Sequence, residues 1–282
     1  MCCCSSLCSY HDHSFSIQSL PGNMTVLLHY HAIALRKGLH MIDSGARVDN
    51  IPTEEEFLKN KGANIYARLT SKIYKIVRAL LFGKLSNDIL NEMKISESIV
   101  ESKIVLIPVL AMGIFFEGVS CFQYSRGSDD IEKTKLIERG RSALAKVRSL
   151  AKHSFWNWQN KVLLLEAMEM HAMGNLDEAG PFYISSIQSA RSHKFIQDEA
   201  IASEMAGEYL FELGRLSEAY TLYKNSIKCF DEWGANAVSS RVEVDIQAKF
   251  GVDVSHLEAT NIDIICGISL NIESNQKRSY EG

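Results

Sequence analysis

Proline is scarce, with four in 282 residues. Proline lacks a backbone donor and blocks helix interiors, so a chain this poor in it can run as long helices with few interruptions. Long apolar runs are missing too. The most hydrophobic stretch, Ile104 to Phe116, contains Pro108 and Gly113 and stops at Glu117, short of the roughly 20 residues a bilayer span needs. It reads as a core helix, and no membrane span is expected. Neither sign of charge dominates: thirty Lys and Arg face thirty-four Asp and Glu, a net charge of -4. That excludes a broad electropositive field, and with it nucleic acid or anionic lipid as expected partners. A Gly-x-x-x-x-Gly-Lys-Ser/Thr phosphate loop, a kinase catalytic loop and an aspartate-rich receiver pattern are all missing from the sequence.

Cysteine is present but lopsided. Cys2, Cys3, Cys4 and Cys8 crowd the start, while Cys121, Cys229 and Cys266 are scattered, which is no disulfide framework. The first residues lack the basic flank and long apolar region of a secretory signal. A reducing, cytoplasmic location is the expectation. Residues 1–23 are Cys- and Ser-rich, carry His11 and His13, and end at the turn signal Pro21-Gly22. They are expected to be disordered. S-acylation of the Cys cluster is the alternative, although no polybasic patch follows to supply a second membrane signal. Three adjacent cysteines cannot all point at one tetrahedral ion, so a metal fits poorly there.

What the chain has is helical periodicity. Val26, Leu27, Tyr30, Ile33, Ala34 and Met41 recur at steps of three and four, the spacing of one buried helix face. His29 and His31 in that segment point apart on a helix and cannot share a metal. Pro52-Thr53-Glu54-Glu55-Glu56 opens a short helix, with proline and acids where a helix N-terminus accepts them. An amphipathic helix is predicted over Ile65 to Leu81, stopped near Gly83, with further helices over Ile89 to Ser98, Ile104 to Tyr124 and Ile131 to Lys152.

The region from Trp156 to Ala235 holds an internal repeat. At an offset of forty, Met-Gly-Asn-Leu-Asp-Glu-Ala (173 to 179) falls on Leu-Gly-Arg-Leu-Ser-Glu-Ala (213 to 219), and Tyr183, Ser186 and Ile187 fall on Tyr223, Ser226 and Ile227. That is a repeated helix-turn-helix unit. Helices are predicted over Asn160 to Met173, Leu176 to His193, Gln197 to Leu213 and Leu216 to Glu232, the first apolar on nearly every face and so flanked on both sides. Asn175 followed by Glu178 resembles a capping box, which Arg215 breaks in the second copy unless Ser217 takes over. Ala179, Ala219 and Gly207 are small enough for close helix approach. Leu81-Phe82-Gly83-Lys84-Leu85 echoes the same turn, as an older repeat unit would.

The turn glycine, the acidic-Ala pair and the following aromatic are similar to the tetratricopeptide pattern, with a period longer than its usual roughly thirty-four residues. The expected fold is all-α, a tetratricopeptide-like superhelical array of antiparallel helical hairpins. Its divisions are residues 1–23, disordered; 24–150, degenerate helical-hairpin repeats; 151–250, tetratricopeptide-like repeats; and 251–282, a poorly ordered tail.

A narrower resemblance lies in Asn-Trp-Gln-Asn-Lys-Val-Leu-Leu-Leu-Glu-Ala (157 to 167), Phe-Ile-Gln-Asp-Glu-Ala-Ile-Ala-Ser-Glu-Met-Ala (195 to 206) and Trp-Gly-Ala (233 to 235). Over about Phe115 to Val242 the chain resembles the helical linker of large hybrid sensor kinases. Those proteins join a serine/threonine-kinase-like domain, an AAA ATPase, this linker, a GAF domain and a histidine kinase. The resemblance implies a non-catalytic protein-interaction or coupling module in signal transduction and phosphorelay, with signalling kinase, ATPase or receiver modules as protein partners and no cofactor. The catalytic modules of that architecture are not in the sequence. An enzyme or small-molecule binder using the array as scaffold, and a non-functional gene fragment, are the alternatives.

Individual residues fit that expectation, and no catalytic, cofactor-binding or metal-ligating residue is assigned. Glu166, Glu199 and Glu204 sit among small and apolar residues, where acids pair with bases across helix seams; Lys161 and Arg241 are candidate partners. His153, His171 and His193 show no ligand spacing. Trp156, Trp158 and Trp233 read as packing anchors at hairpin ends, and Cys121 and Cys229 as small buried hydrophobes.

Overall fold

A computed structural model describes residues 65–92 and 107–251. Every element among them is a helix: α1 (Ile65–Leu81), α2 (Asn87–Glu92), α3 (Ile107–Ser125), α4 (Asp130–His153), α5 (Phe155–Met173), α6 (Leu176–Ser192), α7 (Ile196–Glu212), α8 (Leu216–Trp233) and α9 (Asn236–Phe250). The expectations placed on residues 1–64, 93–106 and 252–282 lie outside the described residues.

Local chemistry explains most of the boundaries. In α1 the predicted stripe of Ile73, Ile76, Val77, Leu80 and Leu81 is buried, and Gly83 closes the helix at φ +62°. The side chain of Asp129 caps α4, accepting from the backbone N–H of Ile131 and Glu132 at 3.1 and 3.0 Å. Two glycines set the spacing of α3, α4 and α5. A Cβ at Gly118 would meet Leu165 Cδ2 at 2.9 Å, and one at Gly140 would lie 2.6 Å from the Phe122 ring, which is fully buried.

From α5 onward the turns repeat. Left-handed residues stand at Gly174, Lys194, Gly214 and Gly234, each twenty residues after the last. After each, the next N–H reaches back to the preceding helix: Asn175 to Met170 O at 2.9 Å, Phe195 to Ala190 O at 2.9 Å, Arg215 to Leu210 O at 3.0 Å and Ala235 to Phe230 O at 2.8 Å. This is the Schellman closure. Lys84 makes the same bond to Ala79 O at 2.7 Å, so the echo at Gly83 is a matching turn. The forty-residue repeat is therefore two twenty-residue steps, and Lys194 fills a glycine position at φ 59°. Left-handed backbone costs an L-residue about 1–2 kcal/mol, and glycine gives back part of that through chain entropy. Lys194→Gly is accordingly expected to raise stability by about 0.5–1 kcal/mol, read as a higher urea midpoint.

The predicted capping box is not made. Asn175 and Arg215 have no side-chain cap bond, and their ψ values of 65° and 64° differ from the extended 164° of Asp129. In a turn this tight the same residue closes one helix and opens the next, which leaves its side chain badly placed to cap. Arg215 pairs with Glu218 instead.

Consecutive helices pack along the whole series, and α5 also touches α3 and α7. This is why α5 is apolar all round, with Val162, Leu163, Leu164, Leu165, Ala167 and Met168 all buried. It starts at Phe155, ahead of the predicted Asn160. The sequence pattern singled out no element over α9, whose buried stripe is only Val238, Ser239, Val242 and Ile246. Gly207 does serve close approach, since a Cβ there would meet the Tyr223 ring at 3.2 Å.

Candidate functional site

The chemistry-bearing side chains gather around α7. Its sequence carries Asp198, Glu199, Glu204, Glu208 and Glu212 and no Lys, Arg or His, yet most of the helix is buried. Buried carboxylates need counter-charges, and each acid takes its own base. Asp198 holds the Lys161 ammonium of α5 and accepts from Asn160 Nδ2 at 2.8 Å. Glu199 meets Arg191 of α6 at 2.9 Å, and Glu204 meets Arg241 of α9. Glu208 meets Lys249 of α9, while Glu212 meets Arg126, just past α3, at 2.8 Å. The helix works as a negatively charged post to which α3, α5, α6 and α9 are tied.

Two of these pairs extend into an aromatic seam. His171 is buried, with the Tyr183 hydroxyl 3.1 Å from Nδ1, Glu212 Oε2 2.9 Å from Nε2, and Arg126 Nη1 within 3.3 Å of both ring nitrogens. The Tyr209 ring stands edge-on to it at 5.3 Å and sends its hydroxyl to Leu176 O at 2.7 Å. Gly180 is what admits that hydroxyl, for a Cβ there would lie 2.9 Å from it. Forty residues on, Tyr223 takes the place of Tyr183 and Lys249 that of Tyr209. The Tyr223 hydroxyl donates to Glu208 at 2.8 Å and lies 2.9 Å from Lys249 Nζ.

The electrostatics follow from the pairing. Burial pushes the Tyr183 and Tyr223 hydroxyls upward, helped at Tyr223 by the Glu208 charge, so both stay protonated donors. Glu212 is held below the usual carboxylate range, first by its hydrogen bond from His171 and then by Arg126. Burial pushes Glu208 up, but the bonds and charges of Lys249 and Tyr223 outweigh it and leave the group depressed. Both carboxylates bind protons less readily folded than unfolded. Their stabilisation is complete above about pH 4.3 and is lost as pH falls through the depressed folded values. Urea midpoints should therefore drop on acidification, and less steeply in Glu208→Gln.

The residues weighed from sequence are dispersed. Glu166, Glu199 and Glu204 pair separately with Arg148, Arg191 and Arg241. Of the two bases offered for these acids, Arg241 takes Glu204, whereas Lys161 serves Asp198, within 6 Å of the ring centroids of Phe115, Trp158 and Phe195. His153 is exposed, far from the buried His171 in the chain, and His193 lies beside Trp156 at 6.2 Å. Trp233 is buried against Phe230, and Trp156 is half-exposed. Among the described residues, no group of His, Cys, Asp and Glu is placed to hold a metal. Cys121 and Cys229 are buried, and burial pushes both thiols up to about 12. Alkylating reagents at pH 8 should leave these two unlabelled until the chain unfolds, as peptide mass spectrometry would read.

A groove of about 570 Å³ lies between α6, α7 and α8, lined by Arg191, Lys194, Ile196, Glu199, Asn225 and Cys229 among others. Over the described residues, fold and seams together define an all-α stack of consecutively packed helices. No described helix is long and apolar enough to cross a membrane. In comparison with known proteins, no family model, curated protein or solved structure matches this chain.

Proposed function

We propose that the chain is a non-catalytic coupling module of the signalling-kinase type, a tetratricopeptide-like superhelical array that holds a segment of a kinase, ATPase or receiver protein in the cytoplasm. The supporting observation is the constant twenty-residue step of left-handed closures at Gly174, Lys194, Gly214 and Gly234. Equal steps place successive helices in equivalent relations, and stacks built that way offer extended surfaces to protein segments. The resemblance of residues 157–167, 195–206 and 233–235 to hybrid-kinase linkers supplies the signalling context.

The groove beside α7 supports a second reading, a small-molecule binder. A thermal-shift screen with ATP, GTP and common metabolites separates the two. The coupling reading expects no rise in melting temperature at millimolar ligand. A concentration-dependent rise of several degrees would favour the second reading, because ligands that bind the native state stabilise it by mass action.

A further inference from the structure

We infer that the surface at the start of α5 is a docking patch for an acidic segment of a protein partner, one in which carboxylates flank an aliphatic side chain. This inference rests on the coupling-module reading and names the chemistry of the partner.

Three features coincide there. The first is apolar: Phe155 and Trp156, adjacent in the first turn of α5, are 41% and 48% exposed. Trp156 is held in place, stacked on the buried Phe195 ring at 5.9 Å with 20° between planes, and beside His193. A large aromatic that is half-exposed and already ordered loses little entropy when it becomes an anchor.

The second is charge. From Arg139 to Leu165 the sequence contains no Asp or Glu. Four bases of that stretch, Arg139, Arg141, Arg148 and Lys161, are engaged by Glu117, Glu169, Glu166 and Asp198. Lys152 and His153 remain exposed at the end of α4, and Lys194 is exposed in the turn that carries His193 and Phe195. None of these three has a carboxylate partner among the described residues. A chain of net charge -4 thus gathers unneutralised bases around its exposed aromatic pair.

The third is a helix end. Ser154 makes no side-chain cap bond to α5, and its hydroxyl accepts from Asn157 Nδ2 at 2.6 Å. The positive end of the α5 dipole faces the same surface, which favours a carboxylate there. Together these features fit carboxylates on Lys152, Lys194 and the α5 terminus, with an aliphatic side chain on Trp156.

The test is fluorescence anisotropy on the full chain with a short fluorescein-labelled peptide alternating pairs of Asp or Glu with single Leu residues. Comparison probes are the same peptide with Lys for each acid, the same with Ser for each Leu, mixed-sequence single-stranded DNA, and phosphatidylcholine–phosphatidylserine vesicles. The acidic Leu peptide should bind best. Trp156→Ala and Lys152→Glu/Lys194→Glu should each weaken it by at least about tenfold, the charge variant without lowering the melting temperature, and Trp156→Phe should retain it. Absence of binding, binding unchanged in the variants, equal binding of the Lys peptide, or tighter binding of DNA or vesicles would each overturn the patch. The wider coupling reading fails separately: if Trp156→Ala/Lys194→Glu still cross-links to a kinase, ATPase or receiver in native extract, the patch is wrong and the module reading stands.

Discussion

Asp198→Ala should cost about 3–5 kcal/mol of stability, the magnitude of stranding a buried charge. Asp198 meets the Lys161 ammonium, and the two side chains are 7% and 8% exposed. Removing it leaves an ammonium among Phe115, Trp158 and Phe195, whose ring faces attract a cation but do not replace a carboxylate. It also strands the Asn160 amide, which donates to Asp198 at 2.8 Å. The loss should therefore exceed that of an ordinary surface ion pair, about 0–1 kcal/mol. Replacing both partners with apolar residues, Lys161→Met with Asp198→Leu, should recover most of the stability, because the desolvation cost leaves with the charges. Urea denaturation of the single and double variants checks this. A single-variant loss under about 1 kcal/mol would show that the pair is not closed off from water.

Tyr183→Ala and Tyr223→Ala should each cost about 3–5 kcal/mol, the range for truncating a large buried aromatic, and by similar amounts. Both rings are 2% exposed and stand forty residues apart in equivalent turns of the stack. The hydroxyl variants act through different partners. Tyr223→Phe leaves Glu208 with Lys249 as partner, whereas Tyr183→Phe takes from His171 one of its contacts and leaves it with Glu212 and Arg126. Each should lose about 1–2 kcal/mol, as when a buried hydrogen bond is broken. Unequal costs for the two alanine variants would mean that the seams are not equivalent despite the matching sequence.

Helices and their order were legible because buried apolar residues recur at helical spacing and glycines end the turns. The forty-residue offset could be seen because Gly174 and Gly214 are both glycine. The finer twenty-residue step was hidden by Lys194, which adopts the left-handed backbone without a glycine to mark it. The capping box was misread because Asn175 is a capping residue by type, while its ψ is set by the closure of the preceding helix. Charge pairing was only partly readable. Arg241 could be anticipated as a partner base without its acid, Glu204, being fixed, while Lys161 selects Asp198 and Arg148 selects Glu166, because crossing geometry decides which long side chains meet. His171 carried no signal of its own, since its partners Arg126, Tyr183 and Glu212 come from three other segments. The one readable trace of that seam was the match of Tyr183 with Tyr223.

The central claim, that this stack of hairpins couples signalling proteins, is tested most directly by lysine-reactive cross-linking of the full chain in native cytosolic extract, followed by mass spectrometry. The account predicts cross-links from Lys152 and Lys194, at the docking patch, to a protein containing a kinase, ATPase or receiver module. Cross-links confined to proteins without any of those modules, or none above those of a denatured control, would contradict it.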